Sequence, residues 1–239
     1  MITGKVAMVT GGSRGIGLAI ARALAGQGAR VAITATSDDR LKQAEAELVA
    51  AVGSAAVLRV RADVRRYGDV EQALAAVVGR FGGLDILVNN AGVGIFRPVA
   101  EMALEEWHTT IDTNLTGVFH ACRAALPHLR ARGGGWIINI SSLSGKHPFA
   151  DAAAYCASKA ALNAFSDALM QEVRQENIRV ACVMPGSVRT GFSGRASGGD
   201  EWKLSPDDVA QVVRDLVAYP SRSLPSAVEI RSSRPPRKG

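Results

Sequence analysis

Cysteine is scarce in this chain of 239 residues: only Cys122, Cys156 and Cys182 are present. An odd count without metal-ligand spacing excludes a disulfide framework and a cysteine-held metal, so reduced thiols are expected. Aromatic residues make up 5% of the chain and are not interleaved with basic ones in a stripe. No window of about 18 uninterrupted apolar residues occurs, so no membrane-spanning helix is expected. The opening MITGKVAMVTGG holds a short apolar run that enters a Gly-rich turn. That is not signal-peptide architecture, and a cytoplasmic location is expected.

Charge points the same way. The formal net charge is +6, which raises the question of nucleic acid. Arg231, Arg234, Arg237 and Lys238 all fall in the final RSSRPPRKG, and without these four the balance is +2. A nucleic-acid partner is therefore not expected. Residues 232–239 read as a basic, Pro-rich, solvated tail behind a single domain of 1–231.

What is present is an alternation. Apolar β-type runs lie at 5–10, 30–35, 55–62, 85–90, 136–141, 178–185 and 227–231. Helical patterns fill the gaps near 15–27, 38–52, 68–81, 103–131, 152–176 and 205–218. Continuous apolar strands separated by helices predict an α/β doubly wound Rossmann fold, with seven parallel strands covered on both faces. The main irregular stretch is 186–204, GSVRTGFSGRASGGDEWKL, and a loop of that length signals a functional or mobile element. It ends at SPDD, with Ser205 as N-cap, Pro206 at N1 and Asp208 at N3.

Residues 10–17, TGGSRGIG, follow the first strand and open a helix. Gly11, Gly15 and Gly17, with Ser13, Arg14 and Ile16 between them, form a turn whose backbone can approach a pyrophosphate, with the helix N-terminus supplying N–H donors. The second strand ends Ile33-Thr34-Ala35-Thr36-Ser37, without the acid that accepts from a ribose 2′-OH in NAD sites. Asp38 and Asp39 come later and suit the start of the next helix. Arg14 can fork onto a 2′-phosphate, and Thr36 and Ser37 can add hydroxyls. NADP(H) is therefore expected over NAD(H).

TGGSRGIG (10–17), ADV (62–64), NNAG (89–92), DTNLTG (112–117), INISS (138–142), YCASK (155–159) and PGSVRT (185–190) occur in this order. With these motifs the chain resembles the short-chain dehydrogenase/reductase family, and within it the 3-oxoacyl-[acyl-carrier-protein] reductases. The resemblance implies a catalytic set of Asn114, Ser142, Tyr155 and Lys159. Tyr155 would be the general acid/base, and Lys159 would bind the nicotinamide ribose and lower the tyrosine pKa. Ser142 would hold the substrate oxygen, and Asn114 would order a water. The resemblance also implies that Asp63 and Val64 contact adenine, that Asn90, Ala91 and Gly92 line the cofactor cleft, and that Pro185, Gly186, Val188 and Thr190 lie at the nicotinamide. It implies a homo-oligomer, a tetramer or dimer built through 103–131 and 152–176.

The spacing of Tyr155 and Lys159 agrees with such chemistry, because residues four apart share one helix face. Free tyrosine has a pKa of ~10, and using it as a base near ~7 requires roughly 4 kcal/mol of stabilisation. A neighbouring ammonium and a cationic oxidised nicotinamide can supply it in a shielded cleft. Other readings stay open. Ser141 or Ser144 can replace Ser142 as the functional hydroxyl, and Asn114 can be a core amide bonded to backbone. His147 fits either a pocket wall or the surface. Cys156, Trp107, Trp136 and Trp202 read as packing residues, with Trp202 also placed to cover a substrate.

The chain departs from fatty-acid reductases at its end, AVEIRSSRPPRKG, which has no VDGG-like turn. Glu176 also stands where a basic carrier-protein contact is expected, leaving Arg130, Arg132 and Arg174. Acyl carrier protein thus remains one partner and a small free ketone or hydroxy compound another. A non-catalytic NADP-binding sensor or scaffold is the alternative of a different class.

Overall fold

The computed structural model describes residues 2–193 and 200–235. Seven strands, β1 (Val6–Thr10), β2 (Arg30–Ala35), β3 (Val57–Arg61), β4 (Ile86–Asn89), β5 (Gly135–Ile140), β6 (Ile178–Pro185) and β7 (Ala227–Ile230), form one sheet in the order β3-β2-β1-β4-β5-β6-β7. Every neighbouring pair is parallel. The order reverses beside β1, which pairs with β2 on one side and β4 on the other. A crevice opens there above the carboxyl ends of the strands.

Alternate residues of β1 serve opposite layers, as the pleat requires. Ala7 and Val9 join the cluster that packs α1 (Gly15–Ala25), α2 (Asp38–Val52) and α7 (Pro206–Ala218). Val6 and Met8 join the cluster under α3 (Tyr67–Phe81), α5 (Gly117–Ala131) and α6 (Ala153–Val173). All five residues of β1 are buried, which accounts for its unbroken apolar run. The predicted cap of α7 is present: Asp208 N–H donates to Ser205 Oγ at 3.2 Å and Ser205 N–H to Asp208 Oδ2 at 2.7 Å.

One expectation needs correction. The helix expected over 103–131 is divided into α4 (Leu104–Ile111), a π-helical turn over Asp112–Thr116, and α5. Of the tail expected from 232 onward, Ser232 is half-buried and residues 233–235 are exposed, and Ser232 and Pro235 line the central cavity together with Arg231. Arg231 is held by Glu229 at 2.8 Å and lies 3.0 Å from His147. Residues 236–239, and 194–199 of the long loop, lie outside the described residues.

The opposite end of the sheet carries a structural anchor. Asp85 is 2% exposed and accepts from Lys5 Nζ at 2.8 Å, Val6 N–H at 2.9 Å and Arg132 at 3.3 Å. Burial alone would push this carboxyl up, but the three donors hold it below the usual range. Replacing Asp85 by Ala is expected to cost about 1.5–3 kcal/mol at neutral pH, read as a lower denaturation midpoint. The contribution is complete above the unfolded pKa of about 3.9 and disappears as pH falls through the lower folded value. Wild type and variant should therefore converge in acid.

Candidate active site

The crevice at the strand ends is one continuous cavity of about 980 Å3. One wall is the turn after β1. Gly11 adopts φ 63°, a left-handed conformation that suits glycine, and the chain then enters α1. Arg14 stands at the N-cap without a side-chain cap, and no acid occupies the first turn of α1. The helix therefore presents its positive end and N–H donors to the cavity, an arrangement that suits a phosphate. Gly11, Ser13, Arg14, Gly15 and Ile16 line this wall. Gly17 does not: a Cβ there would collide with the Gly11 carbonyl and the Asn90 amide. Its part is to let α1 close against the turn.

Beyond the end of β2, Thr36 and Ser37 line the cavity together with Arg40. Ser37 caps α2, accepting from Arg40 N–H at 3.5 Å. Asp38 is turned away to Lys42 at 2.9 Å and Arg59 at 2.7 Å and is not among the lining residues. Arg14 and Arg40 form no ion pair with an acid of the chain among the described residues. Asp63 and Val64 line the next section. The Asp63 carboxylate is held by Arg65, whose Nη2 is 2.6 Å from Oδ2, and Arg65 keeps it below the usual carboxylate range despite partial burial.

After β4 the chain runs irregularly across the crevice. Thr10 Oγ1 accepts from the N–H groups of Asn90 and Ala91 at 3.0 and 3.1 Å, and the Asn90 amide donates to the Thr10 and Gly11 carbonyls at 3.0 and 3.1 Å. These bonds fix Asn90, Ala91 and Gly92 as a lining strip. Asn114 is fully buried behind it, in the π-helical turn. Its Oδ1 accepts from Val93 N–H at 2.8 Å, and its Nδ2 donates to the Val93 carbonyl at 2.9 Å and to Ser158 Oγ at 3.0 Å. The Asn114 side chain thus clamps the strip rather than lining the cavity.

Tyr155 and Lys159 both face the cavity from α6, and Ser142 faces it from the end of β5. Lys159 is 5% exposed, and its ammonium donates to the Ile140 carbonyl at 2.9 Å and lies 5.9 Å from the Tyr155 ring centre. Burial pulls Lys159 down to about 8. Burial also pushes the Tyr155 phenol above its ordinary value, with the Ser142 hydroxyl acting in the opposite direction. Desolvation is the larger of these influences on the phenol. Ser141 Oγ is committed to Asn163 at 2.6 Å and the Lys159 carbonyl at 3.3 Å. Ser144 is hydrogen-bonded to Ser142. All three serines line the cavity, and among them it is the Ser142 hydroxyl that draws the phenol downward.

Pro185, Gly186, Val188 and Thr190 complete the wall beyond β6. The long loop is pinched at its base, where Arg189 N–H donates to the Leu204 carbonyl at 2.8 Å and Leu204 N–H to the Ser187 carbonyl at 3.0 Å. Trp202 returns to the cavity from this loop, and His147 lines it near Ser144. Sequence reasoning missed Arg40, Phe96, Phe149 and Phe192, which also line it. The signal for Phe96 was VGIF directly after NNAG, a run with neither strand nor helix period. Cys122, Cys156 and Cys182 are free and buried, and burial pushes the Cys122 thiol up to about 12. Among the described residues no group of three or more His, Cys, Asp or Glu is placed to hold a metal, and no helix is long and apolar enough to cross a membrane.

An uncapped helix start, a strand-end crevice and a buried Tyr/Lys pair on one helix define a dinucleotide-binding α/β site. The sequence profile of the short chain dehydrogenase family matches residues 5–200, and the chain belongs to that family. It is 35% identical over 227 residues to an uncharacterized oxidoreductase of Staphylococcus epidermidis, covering 95% of this chain and 96% of the relative. It is also similar to two solved structures. A metagenomic short-chain oxidoreductase in complex with NADP is 40% identical with a TM-score of 0.85, covering 98% of this chain and 99% of that one. An alcohol dehydrogenase from the archaeon Thermococcus sibiricus, complexed with 5-hydroxy-NADP, is 34% identical with a TM-score of 0.89 and the same coverage.

Proposed function

We propose that this protein is an NADP(H)-dependent reductase of a carbonyl to a secondary alcohol. The observation that carries the reading is that the uncapped start of α1 and the Ser142, Tyr155 and Lys159 side chains open onto one cavity. The residues fit a dinucleotide: a glycine turn and helix N-terminus for a pyrophosphate, and a narrow strip at Asn90–Gly92 for a ribose. A bound NADPH would supply the hydride to the carbonyl carbon. Ser142 holds the carbonyl oxygen, and Tyr155 gives that oxygen its proton. A phenol kept protonated by burial is in the right state for this direction. The buried Lys159 ammonium stabilises the phenolate left behind. Asn114 is a positioning residue that holds the Val93 backbone. The paired Tyr155 and Lys159 in the cavity favour this reading over a sensor that binds NADP without turning it over.

Two arginines support NADP over NAD. Arg14 and Arg40 line the cavity beside Thr36 and Ser37, and no acid closes β2. The structural relatives bound to NADP and 5-hydroxy-NADP agree with this choice. Arg14→Ala is expected to lower the preference for NADPH over NADH by about tenfold or more, the worth of a charge-assisted hydrogen bond. The check is the ratio of kcat/KM for the two cofactors; an unchanged ratio would remove Arg14 from the 2′-phosphate. NADPH oxidation at 340 nm against a panel of carbonyls tests the reading itself.

A free ketone is favoured over a carrier-bound one as substrate. Arg130 is tied to Glu176 at 2.5 and 2.9 Å, and Arg132 is tied to Asp85, so two of the three arginines available to an acidic carrier are already paired.

A further inference from the structure

The substrate half of the cavity is walled by aromatic rings in a chain that has few of them. Phe96 meets the Tyr155 ring at 5.6 Å between centres and 64° between planes, and Phe192 meets it at 5.9 Å and 58°. Phe149 lies 6.0 Å from Phe96 at 32°. Phe149 is 54% and Phe192 38% exposed, so neither is spent on the core. Both open onto the cavity that holds the catalytic phenol. Gly94 makes the cluster possible, since a Cβ there would sit 2.5 Å from Phe192 Cε1 and 3.1 Å from Phe96 Cε2. The two ring edges therefore converge over bare backbone beside Tyr155.

Polar groups at the far end are largely engaged with one another. Glu229 accepts from Lys146 Nζ at 2.9 Å and from Arg231 Nη2 at 2.8 Å. Arg231 Nη2 also lies 3.0 Å from His147 Nε2. A guanidinium only donates, so in this contact His147 Nε2 is the acceptor. Beside Tyr155 the cavity is walled by the rings of Phe96, Phe149 and Phe192. Such rings favour a second ring over an aliphatic group of equal size.

We infer that the substrate is an uncharged ketone with an aromatic ring on the carbonyl carbon, seated against the Phe96, Phe149 and Phe192 wall. This rests on the carbonyl-reductase reading above. The experiment compares kcat/KM for acetophenone, cyclohexyl methyl ketone and acetoacetyl-CoA with NADPH, in wild type and in Phe192→Leu and Phe96→Leu. Acetophenone should exceed its cyclohexyl counterpart by about tenfold, the worth of two ring–ring contacts, and either Leu variant should bring that ratio toward one. A ratio at or below one in wild type, a ratio unmoved by both variants, or a preference for acetoacetyl-CoA overturns the inference while leaving carbonyl reduction intact. If neither these three nor any carbonyl of a broad panel is reduced although NADPH binding is retained by fluorescence, the reductase reading falls and this inference with it; reduction of other carbonyls but not of acetophenone overturns this inference alone.

Discussion

Replacing Tyr155 with Phe is expected to lower kcat for carbonyl reduction by about 10²–10⁴-fold, the usual worth of a positioned general acid. Dinucleotide affinity and fold should be nearly unchanged. The ring is 9% exposed and packs against Phe96 and Phe192, contacts that phenylalanine retains. Only the hydroxyl that Ser142 acts on is lost. Because the loss falls on kcat rather than on cofactor binding, steady-state kinetics and NADPH fluorescence titration separate the two. A variant that kept the wild-type kcat would remove Tyr155 from the proton transfer.

The second large effect is expected at Lys159. Met has a similar length and no charge, and it relieves the burial of an ammonium. Lys159→Met should therefore fold, with an unaltered circular dichroism spectrum, yet lose about 10²–10³-fold in kcat/KM, as when one preorganised electrostatic donor is removed. The pH profile carries the assignment. Burial pulls Lys159 down to about 8, so the ammonium is lost as pH rises through that value. Wild-type kcat/KM for reduction should fall above about pH 8. The phenol cannot produce that limb, because burial pushes it upward. In Lys159→Met the limb should be absent. A limb near pH 8 that survives the substitution belongs to another group.

Much of this fold was legible because its strands are bounded by local chemistry. β2 and β6 span the predicted 30–35 and 178–185, and α2 starts where Ser37 and the two aspartates mark a cap. The π-helical turn at Asp112–Thr116 was not legible, since one extra residue in a helix leaves composition and apolar period almost unchanged. The chain crossing after β4 was equally silent. Its position depends on the Asn114 amide and on Thr10, which lies 80 residues from the Asn90 it holds. Arg231 meets His147, 84 residues away. A Pro-rich basic ending gives no local sign of such a contact.

The site divides along the same line. The glycine turn and the Tyr155/Lys159 pair announce themselves by spacing, because phosphate binding and shared helix faces are local geometries. The engagement of the Ser141 hydroxyl by Asn163 on α6 is a tertiary contact that spacing does not show. The packing part of Gly17 was hidden as well, because the atoms it makes room for belong to Gly11 and Asn90. The aromatic wall was invisible for a related reason: Phe96, Phe149 and Phe192 come from three loops and meet only in the folded chain.

Hydride transfer itself is the central claim, and deuterium tracing tests it most directly. Wild-type protein is incubated with acetophenone and NADPH deuterated at the transferable C4 position, and the alcohol is analysed by mass spectrometry. One deuterium on the carbinol carbon is predicted for wild type, with Tyr155→Phe producing little alcohol at equal NADPH occupancy. A wild-type protein that binds NADPH tightly yet transfers no deuterium to acetophenone or to any other carbonyl in a broad panel would contradict the account.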